Sequence, residues 1–572
     1  MEKINRLKKI FNYEKIDGYL IPKNDQFFGE FVPDFNDRLN FISNFSGSYG
    51  FCLILKNKNY LFVDGRYTQQ AINECGKYFN IITIPKTMPK QILRNKKLII
   101  GYDPKLFTKS TFNIFFSKNN CEFKPINQNL IDKIWIRKKE KKRKKFFILP
   151  KVSTGESYES KVNKISLNLK NKSADYQLIT ASENNAWLLN IRGKDAEYTP
   201  IPNSYILLDK FKNIYFFCDL KKISNNFKNF FKKIKFYELD DIEKILSNIS
   251  KKKFLIDELS CSLYFEKIIL KNNKVTSSQD PIYYFKSIKN KKEIENIKKA
   301  HILDGVALTK YLFWIKKNFS KKKISEISAS SKLLNFRKKN KDFKFLSFPT
   351  ISGVGPNGAI IHYRATKKTN RILKKGEIYL VDSGGQYEFG TTDVTRTISL
   401  ENSNKNIKNI FTRVLKGHIA VTNYKLVHNT SGSKLDNLAR KYLKEIGLNF
   451  PHGTGHGVGY FLNVHEGPQA ITKSNKVKFE EGMVVSNEPG YYKVNKFGIR
   501  IENLIYVKKQ KNIKIFEDLT MVPIDKELIE ENNLNNNEKK WLNEYHKKVY
   551  KSLKNSMNKN EINQLKEACS AI

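Results

Sequence analysis

The chain reads as α/β (α+β): two related α/β domains ahead of a glycine-, histidine- and acid-rich domain. Three observations predict this. Helix-period and strand-like runs alternate through the first half. A block of similar order then recurs once. Asn36–Gly47 reads NDRLNFISNFSG and Asn184–Gly193 reads NNAWLLNIRG, and each precedes a strand, a polar turn and a second apolar strand ending in Asp, at Phe62–Asp64 and Tyr215–Asp219. From Phe348 onward, glycines, histidines and acids crowd between short apolar runs.

At 572 residues the chain exceeds a single core. The first domain is placed at 1–150. A helix from about Lys3 to Tyr13 leads to a strand near Gly18–Pro22. Further strands are expected at Gly50–Leu55 and Asn59–Val63 around the turn Lys56–Lys58. The run RKKEKKRKK at Arg137–Lys145 reads as a solvated linker. The second domain is placed at 151–285 and the third at 286–510. The third opens with a helix over Lys289–Ile315, whose Ile294, Ile297, Ala300, Leu303, Val306 and Leu308 fall at helical spacing. Residues 511–572 form a C-terminal extension, polar and helical from about 526, with Trp541 and Tyr545 as docking anchors.

Lys and Arg number 104 against 56 Asp and Glu, for a net charge of +48. The excess runs along nearly the whole chain, including segments that read as buried strands. It therefore points to compositional drift rather than to one nucleic-acid-binding face. Hydrophobic residues at 40% and aromatics at 13% exclude a disordered chain. Six scattered cysteines without a CxxC pair read as reduced thiols of a cytoplasmic protein. The N-terminus lacks an apolar leader core, and no uncharged apolar stretch is long enough for a membrane span.

The chemistry gathers in the third domain. Asp382 ends the apolar strand Ile378–Val381, and Asp393 follows in GTTDVTRT. A hairpin turning near Tyr387–Gly390 would bring the two carboxylates together. His456 stands between glycines in PHGTGHGVGYFLNVHEGP, where three of the chain's eight histidines fall within fourteen residues, at 452, 456 and 465. Glu488 follows the strand Met483–Val485 in MVVSNEPGYY. Glu502 interrupts the apolar strand FGIRIENLIYV, where a charge is costly unless paired. Four carboxylates and one imidazole would repel without cations. Two divalent ions would balance them, and the oxygen and nitrogen donors suit Mn²⁺, Co²⁺, Fe²⁺ or Zn²⁺.

These runs resemble the aminopeptidase P members of the M24 metallopeptidases, with their creatinase or "pita-bread" catalytic fold. VDSGGQYEFGTTDVTRT, HGTGHGVGYFLNVHEGP and NEPGYY with FGIRIEN carry the resemblance in the catalytic block. FVPDFNDRLNFISNFSGSYG, VDGRYTQQA, AWLLNIRG and the tail WLNEYHKKV extend it to the long, three-domain members. The resemblance implies a metallo-aminopeptidase that cleaves the bond before a penultimate proline, using a hydroxide held between two divalent ions, with Mn²⁺ favoured. It implies that Asp382 binds one ion, Asp393 and Glu502 bridge both, and His456 and Glu488 bind the other. Glu488 would also serve as general base and then acid. His362, in GAIIHYRAT, would lie near the substrate, His465 would stabilise the tetrahedral intermediate, and His452 would line the proline side. Arg500 would orient its neighbours from behind the ligands. A homodimer and peptide substrates follow from the same likeness, and the lack of a long uncharged apolar stretch leaves no membrane partner expected. Arg66, in VDGRY, reaches either a neighbouring site or only its own turn. His301, His418, His428 and His546 read as surface or structural. The alternatives are a prolidase acting on Xaa-Pro dipeptides and a non-catalytic peptide- or nucleic-acid-binding protein on the same fold. The chain's length weighs against the first, and the complete ligand set weighs against the second.

Overall fold

A computed structural model describes residues 1–137, 144–388, 390–427 and 430–572. The chain divides into two compact units, Met1–Tyr283 and Tyr284–Ile572.

In the first unit, the helix Glu2–Glu14 buries Ile4, Leu7 and Phe11, one apolar stripe at helical spacing. A left-handed Lys15 ends it. The chain then enters Gly18–Pro22, a strand buried along its whole length. Around this strand a six-stranded sheet runs in the order Asn80–Ile84, Asn59–Asp64, Phe51–Leu55, Gly18–Pro22, Ile99–Tyr102, Glu122–Pro125. The second sheet runs Ile234–Tyr237, Ile214–Phe217, Tyr205–Asp209, Tyr176–Ile179, Lys253–Ile256, Lys274–Ser277. The two sheets follow the same sequence of pairings, so the repeat seen in the sequence is a repeat of topology.

One strand in this unit ends earlier than expected. It stops at Phe217, and Asp219 instead accepts a hydrogen bond from the Lys221 amide to cap a short 3₁₀ turn. A short acid is better used as a cap than as a pleated residue. Arg66 bonds both oxygens of Asp64 in its own turn, at 3.0 and 2.6 Å. In the basic run Arg137–Lys145, residues 138–143 lie outside the described residues. All six cysteines are free thiols. Among the described residues no helix is long and apolar enough to cross a membrane.

The second unit opens with the 28-residue helix Lys291–Asn318, capped by Asn290 and Glu293 reciprocally. It packs against the helix Glu326–Lys338 through a buried ion pair. Arg337 clamps both oxygens of Asp304 at 2.7 and 3.0 Å, and Tyr387 donates to the same carboxylate at 2.8 Å. Burial pushes the Asp304 carboxyl up, but the Arg337 charge and these donors outweigh it and hold it below its ordinary value. Beyond lie two three-stranded sheets, a five-stranded sheet and a two-stranded ribbon. The helices Lys405–Thr422 and Gly432–Lys444 pack on one another in the same unit.

The segment FGIRIENLIYV differs from the single strand expected. Phe497–Arg500 pairs with Gly490–Lys493, whereas Asn503–Gln510 pairs with Val484–Asn487 and Ile513–Asp518. The chain changes sheets between them, where the Ile501 amide donates to Pro489 and the Glu502 amide to Thr395. This break explains why its isoleucines fit no single two-residue period.

The extension folds as the helices Asn536–Leu553 and Lys559–Ala568. Trp541 and Tyr545 are buried and stack at 5.3 Å, as docking anchors should. His301, His418 and His546 are buried, and burial pushes their pKa down to about 4, 3 and 3 respectively. They are neutral packing groups, while His428 lies outside the described residues.

Replacing Arg337 with Met would leave the Asp304 carboxylate buried without its counter-charge. Urea unfolding is expected to show a loss of about 3–5 kcal/mol. A loss below about 1 kcal/mol would mean that the pair does not hold these helices together.

Candidate metal centre

The site begins with a hairpin. Ile378–Ser383 pairs antiparallel with Val394–Ser399, placing Asp382 opposite Thr395 and Ser383 opposite Val394. Asp393 therefore lies one step beyond the ladder, beside Gly384. The hairpin continues as Gln386 opposite Thr391 and Tyr387 opposite Gly390, so it turns where expected, although Phe389 lies outside the described residues. Gly384 is required by the close approach of the arms, because a Cβ there would lie 1.9 Å from the Thr392 carbonyl oxygen.

His456 enters on the short strand Gly455–Gly457, between Glu466–Ile471 and Val484–Asn487. A Cβ at Gly455 would lie 1.9 Å from the Ser486 carbonyl oxygen, so a glycine lets this strand press against its neighbour. The Ser486 hydroxyl then links two site residues, accepting from the His456 amide at 3.0 Å and donating to Glu488 Oε1 at 3.2 Å. Glu502 arrives at the sheet switch, and Thr395 Oγ1 donates to its Oε2 at 2.8 Å.

Donor atoms of Asp393, His456 and Glu502 all lie within 4.8 Å of one another. His456 Nε2 is 3.5 Å from both Asp393 Oδ2 and Glu488 Oε1. These separations are too long for hydrogen bonds but suit donors that share an ion at about 2.1 Å each. His456 Nδ1 lies 2.9 Å from the Gly457 carbonyl oxygen, which fixes the proton on that nitrogen and leaves Nε2 as a donor to metal. Asp382 Oδ2 accepts from Arg500 at 2.6 Å, while its buried Oδ1 has no hydrogen-bond partner among the described residues. A buried carboxylate oxygen left this way is expensive without a cation. The donor set and its geometry thus fit divalent ions.

The electrostatics agree. Burial raises the Glu502 carboxyl well above its ordinary value, and the neighbouring Asp393, Glu488 and Asp382 charges raise it further. Burial also raises Glu488, partly offset by His456 and Arg500. Without cations, Glu502 and Glu488 are thus pushed toward their protonated forms.

Arg500 organises the inner wall. It donates to Asp382, to Thr395 Oγ1 at 3.1 Å and to Tyr492 Oη at 2.7 Å. His452 lies at the far end of this chain of bonds, its Nε2 2.8 Å from Tyr492 Oη. Burial pushes the Tyr492 phenol up to about 12 despite Arg500, so it stays neutral. The His465 ring lies 4.3 Å from the His456 ring and is exposed. His362 is half-buried in the turn after the 3₁₀ helix Gly355–Ala359. Gly358 backs that loop onto Gly498, where a Cβ would lie 1.8 Å from the Gly358 carbonyl oxygen. The His362 loop therefore packs on the strand that carries Arg500.

The structure thus gathers Asp393, His456 and Glu502 around one point, with Glu488 and His465 each beside His456, and it links Asp382, Arg500 and His452 through Arg500 and Tyr492. Thr395, Ser486, Tyr492 and Arg396 were missed in the sequence. Only Arg396 carried a signal, since it is a charge inside the β-branched run VTRT. The hydroxyls look like ordinary strand residues until the sheets are assembled.

Glu502→Gln should separate repulsion from metal binding. A carboxyl raised on folding contributes stability below its ordinary pKa and loses it as pH rises through the folded value. Metal-free wild type should therefore weaken with rising pH by about 1.4 kcal/mol per unit across that window. Thermal unfolding in chelator should show a shallower decline for the variant, and added Mn²⁺ should stabilise it far less than wild type. Identical pH slopes and identical metal shifts would contradict this account.

Comparison with known proteins gives a consistent result. Residues 295–509 match the metallopeptidase family M24, and 514–572 match the C-terminal region of that family. Residues 3–134 and 137–293 each match a creatinase/prolidase N-terminal domain. The chain is 36% identical over 578 residues to a probable Xaa-Pro aminopeptidase P of Laccaria bicolor, covering 96% of this chain and 90% of that protein. It is 34% identical to Xaa-Pro aminopeptidase 1 of Dictyostelium discoideum, covering 99% and 95%. Among solved structures it resembles an X-prolyl aminopeptidase from Caenorhabditis elegans, described as a cytosolic enzyme with a di-nuclear active site. The TM-score is 0.95 at 31% identity, over 100% of this chain and 99% of that one. A prolidase from Pyrococcus horikoshii gives a TM-score of 0.53 at 26% identity and covers only 64% of this chain.

Proposed function

The chain belongs to the Xaa-Pro aminopeptidase family of M24 metallopeptidases, and on that footing we propose that it removes the N-terminal residue from peptides whose second residue is proline. The observation that carries this reading is the convergence of Asp393, His456 and Glu502 donors within 4.8 Å, beside an unpartnered Asp382 oxygen.

In this proposal Asp382 would hold one divalent ion, His456 and Glu488 would hold the other, and Asp393 and Glu502 would contribute to both. Mn²⁺ is favoured because oxygen donors dominate the set. When bound, the two ions supply an acidified water and polarise the scissile carbonyl. The remaining work falls to the protein. The Glu488 carboxylate takes a proton from the attacking water at one oxygen and returns it to the departing proline nitrogen. Ser486 fixes the orientation of that carboxyl. His465, exposed beside His456, donates to the oxygen that gains charge as the carbonyl becomes tetrahedral. His362 borders the substrate from its loop. His452, held by Tyr492, forms the wall against which proline rests. Arg500 keeps Asp382 and Thr395 in register.

A prolidase reading is disfavoured by the third of this chain that has no counterpart in the archaeal prolidase. A homodimer and a cytoplasmic setting belong to the proposal through family likeness. Nucleic acid does not, because the basic residues are spread along the chain.

The decisive assay compares Xaa-Pro-Yaa, Xaa-Pro and Xaa-Ala-Yaa peptides, with Mn²⁺ and with chelator. Release of the first residue from the proline tripeptide, abolished by chelator, is the expected result. Asp393→Asn should lower kcat at least 100-fold. Preference for the dipeptide would make the protein a prolidase, and no turnover with any divalent metal would overturn the enzymatic reading.

A further inference from the structure

The backbone of Glu502 is held by a residue that is not itself among the proposed metal ligands. Arg396 is 1% exposed. Its Nη1 donates to the carbonyl oxygens of Glu502 and Thr395, at 2.6 and 2.9 Å. Its Nη2 donates to Asn503 Oδ1, the Val522 carbonyl and Tyr545 Oη, at 2.8, 2.7 and 2.9 Å. Its Nε donates to the Pro523 carbonyl at 3.1 Å. Every one of these acceptors is a neutral oxygen. A guanidinium buried without a directly bonded carboxylate depends on the full set for its position.

Tyr545 belongs to the C-terminal helix Asn536–Leu553. Its hydroxyl accepts from Arg396 and faces the Val522 and Thr520 carbonyl oxygens, at 2.8 and 3.1 Å, to which it can donate. The same helix reaches the other glutamate by a second route. Trp541, stacked on Tyr545, lies edge-on to His418 at 5.8 Å. His418 Nδ1 lies 3.0 Å from the carbonyl oxygen of Asn487, the residue before Glu488.

We infer that the C-terminal extension positions the metal site, with Tyr545 acting as a positioning residue for Glu502 through Arg396. This rests on the ligand roles proposed above. The tail fixes Arg396, and Arg396 fixes the backbone of Glu502 together with that of Thr395, whose hydroxyl holds the Glu502 side chain. A shift of Arg396 therefore moves a bridging ligand without any change in the ligands themselves.

The test is Tyr545→Phe, with Val549→Ala as control. Val549 is fully buried in the apolar core on the same helix, and its side chain has no polar atom with which to hold Arg396. Mn²⁺ binding to each full-length protein is measured by calorimetry, and kcat and KM are measured on a proline tripeptide. Tyr545→Phe should weaken the Mn²⁺ sites about tenfold and lower kcat with little change in KM. Val549→Ala should lower thermal stability but bind Mn²⁺ like wild type. The inference is overturned if Tyr545→Phe binds Mn²⁺ as wild type does, or if both variants lose affinity alike. If wild type itself bound no pair of ions, the ligand assignment would fail first and the inference with it.

Discussion

Four carboxylates cannot share a buried pocket unless something balances their charge and something else holds them apart. Asp382, Asp393, Glu488 and Glu502 come from four places in the second unit, and burial raises Glu488 and Glu502 toward the neutral form. A divalent pair would supply the balance. The protein supplies the spacing, and much of the catalytic unit can be read as the scaffold that enforces it.

That scaffold works through close backbone approach and buried arginines. Gly384 and Gly455 let neighbouring strands come nearer than any side chain allows. Arg500 and Arg396 then lock the ligand strands, one through side chains and the other through carbonyl oxygens. Both are almost fully buried, at 2% and 1% exposure. Their desolvation is offset only where their hydrogen bonds are made, so each couples distant segments tightly. The Asp304–Arg337 pair has the same logic one layer further out, where Arg337 also reaches Ser383 beside Asp382.

The sequence made the alternation of the first unit legible because its strands are short, apolar and separated by polar turns. The repeat was visible through two matching runs, and the identical strand orders explain it. The hairpin joining Asp382 and Asp393 followed from a β-branched pair of strands around a glycine-bearing turn. The sheet switch at Ile501–Glu502 was not legible, since the residues on both sides are equally strand-forming and only the hydrogen bonds to Pro489 and Thr395 separate them. Tyr492, Ser486 and Thr395 were hidden for a related reason. A hydroxyl in a strand has no signature until a partner from another sheet is placed against it. Arg396 could have been found, because the argument applied to Glu502 applies equally to a charge in VTRT.

The most direct test of the central claim is anomalous X-ray scattering from crystals grown with Mn²⁺. The account predicts two ions about 3.5–4 Å apart, one bound by Asp382 Oδ1 and the other by His456 Nε2, with Asp393 and Glu502 between them. A single ion, or none, with all five side chains ordered would contradict it.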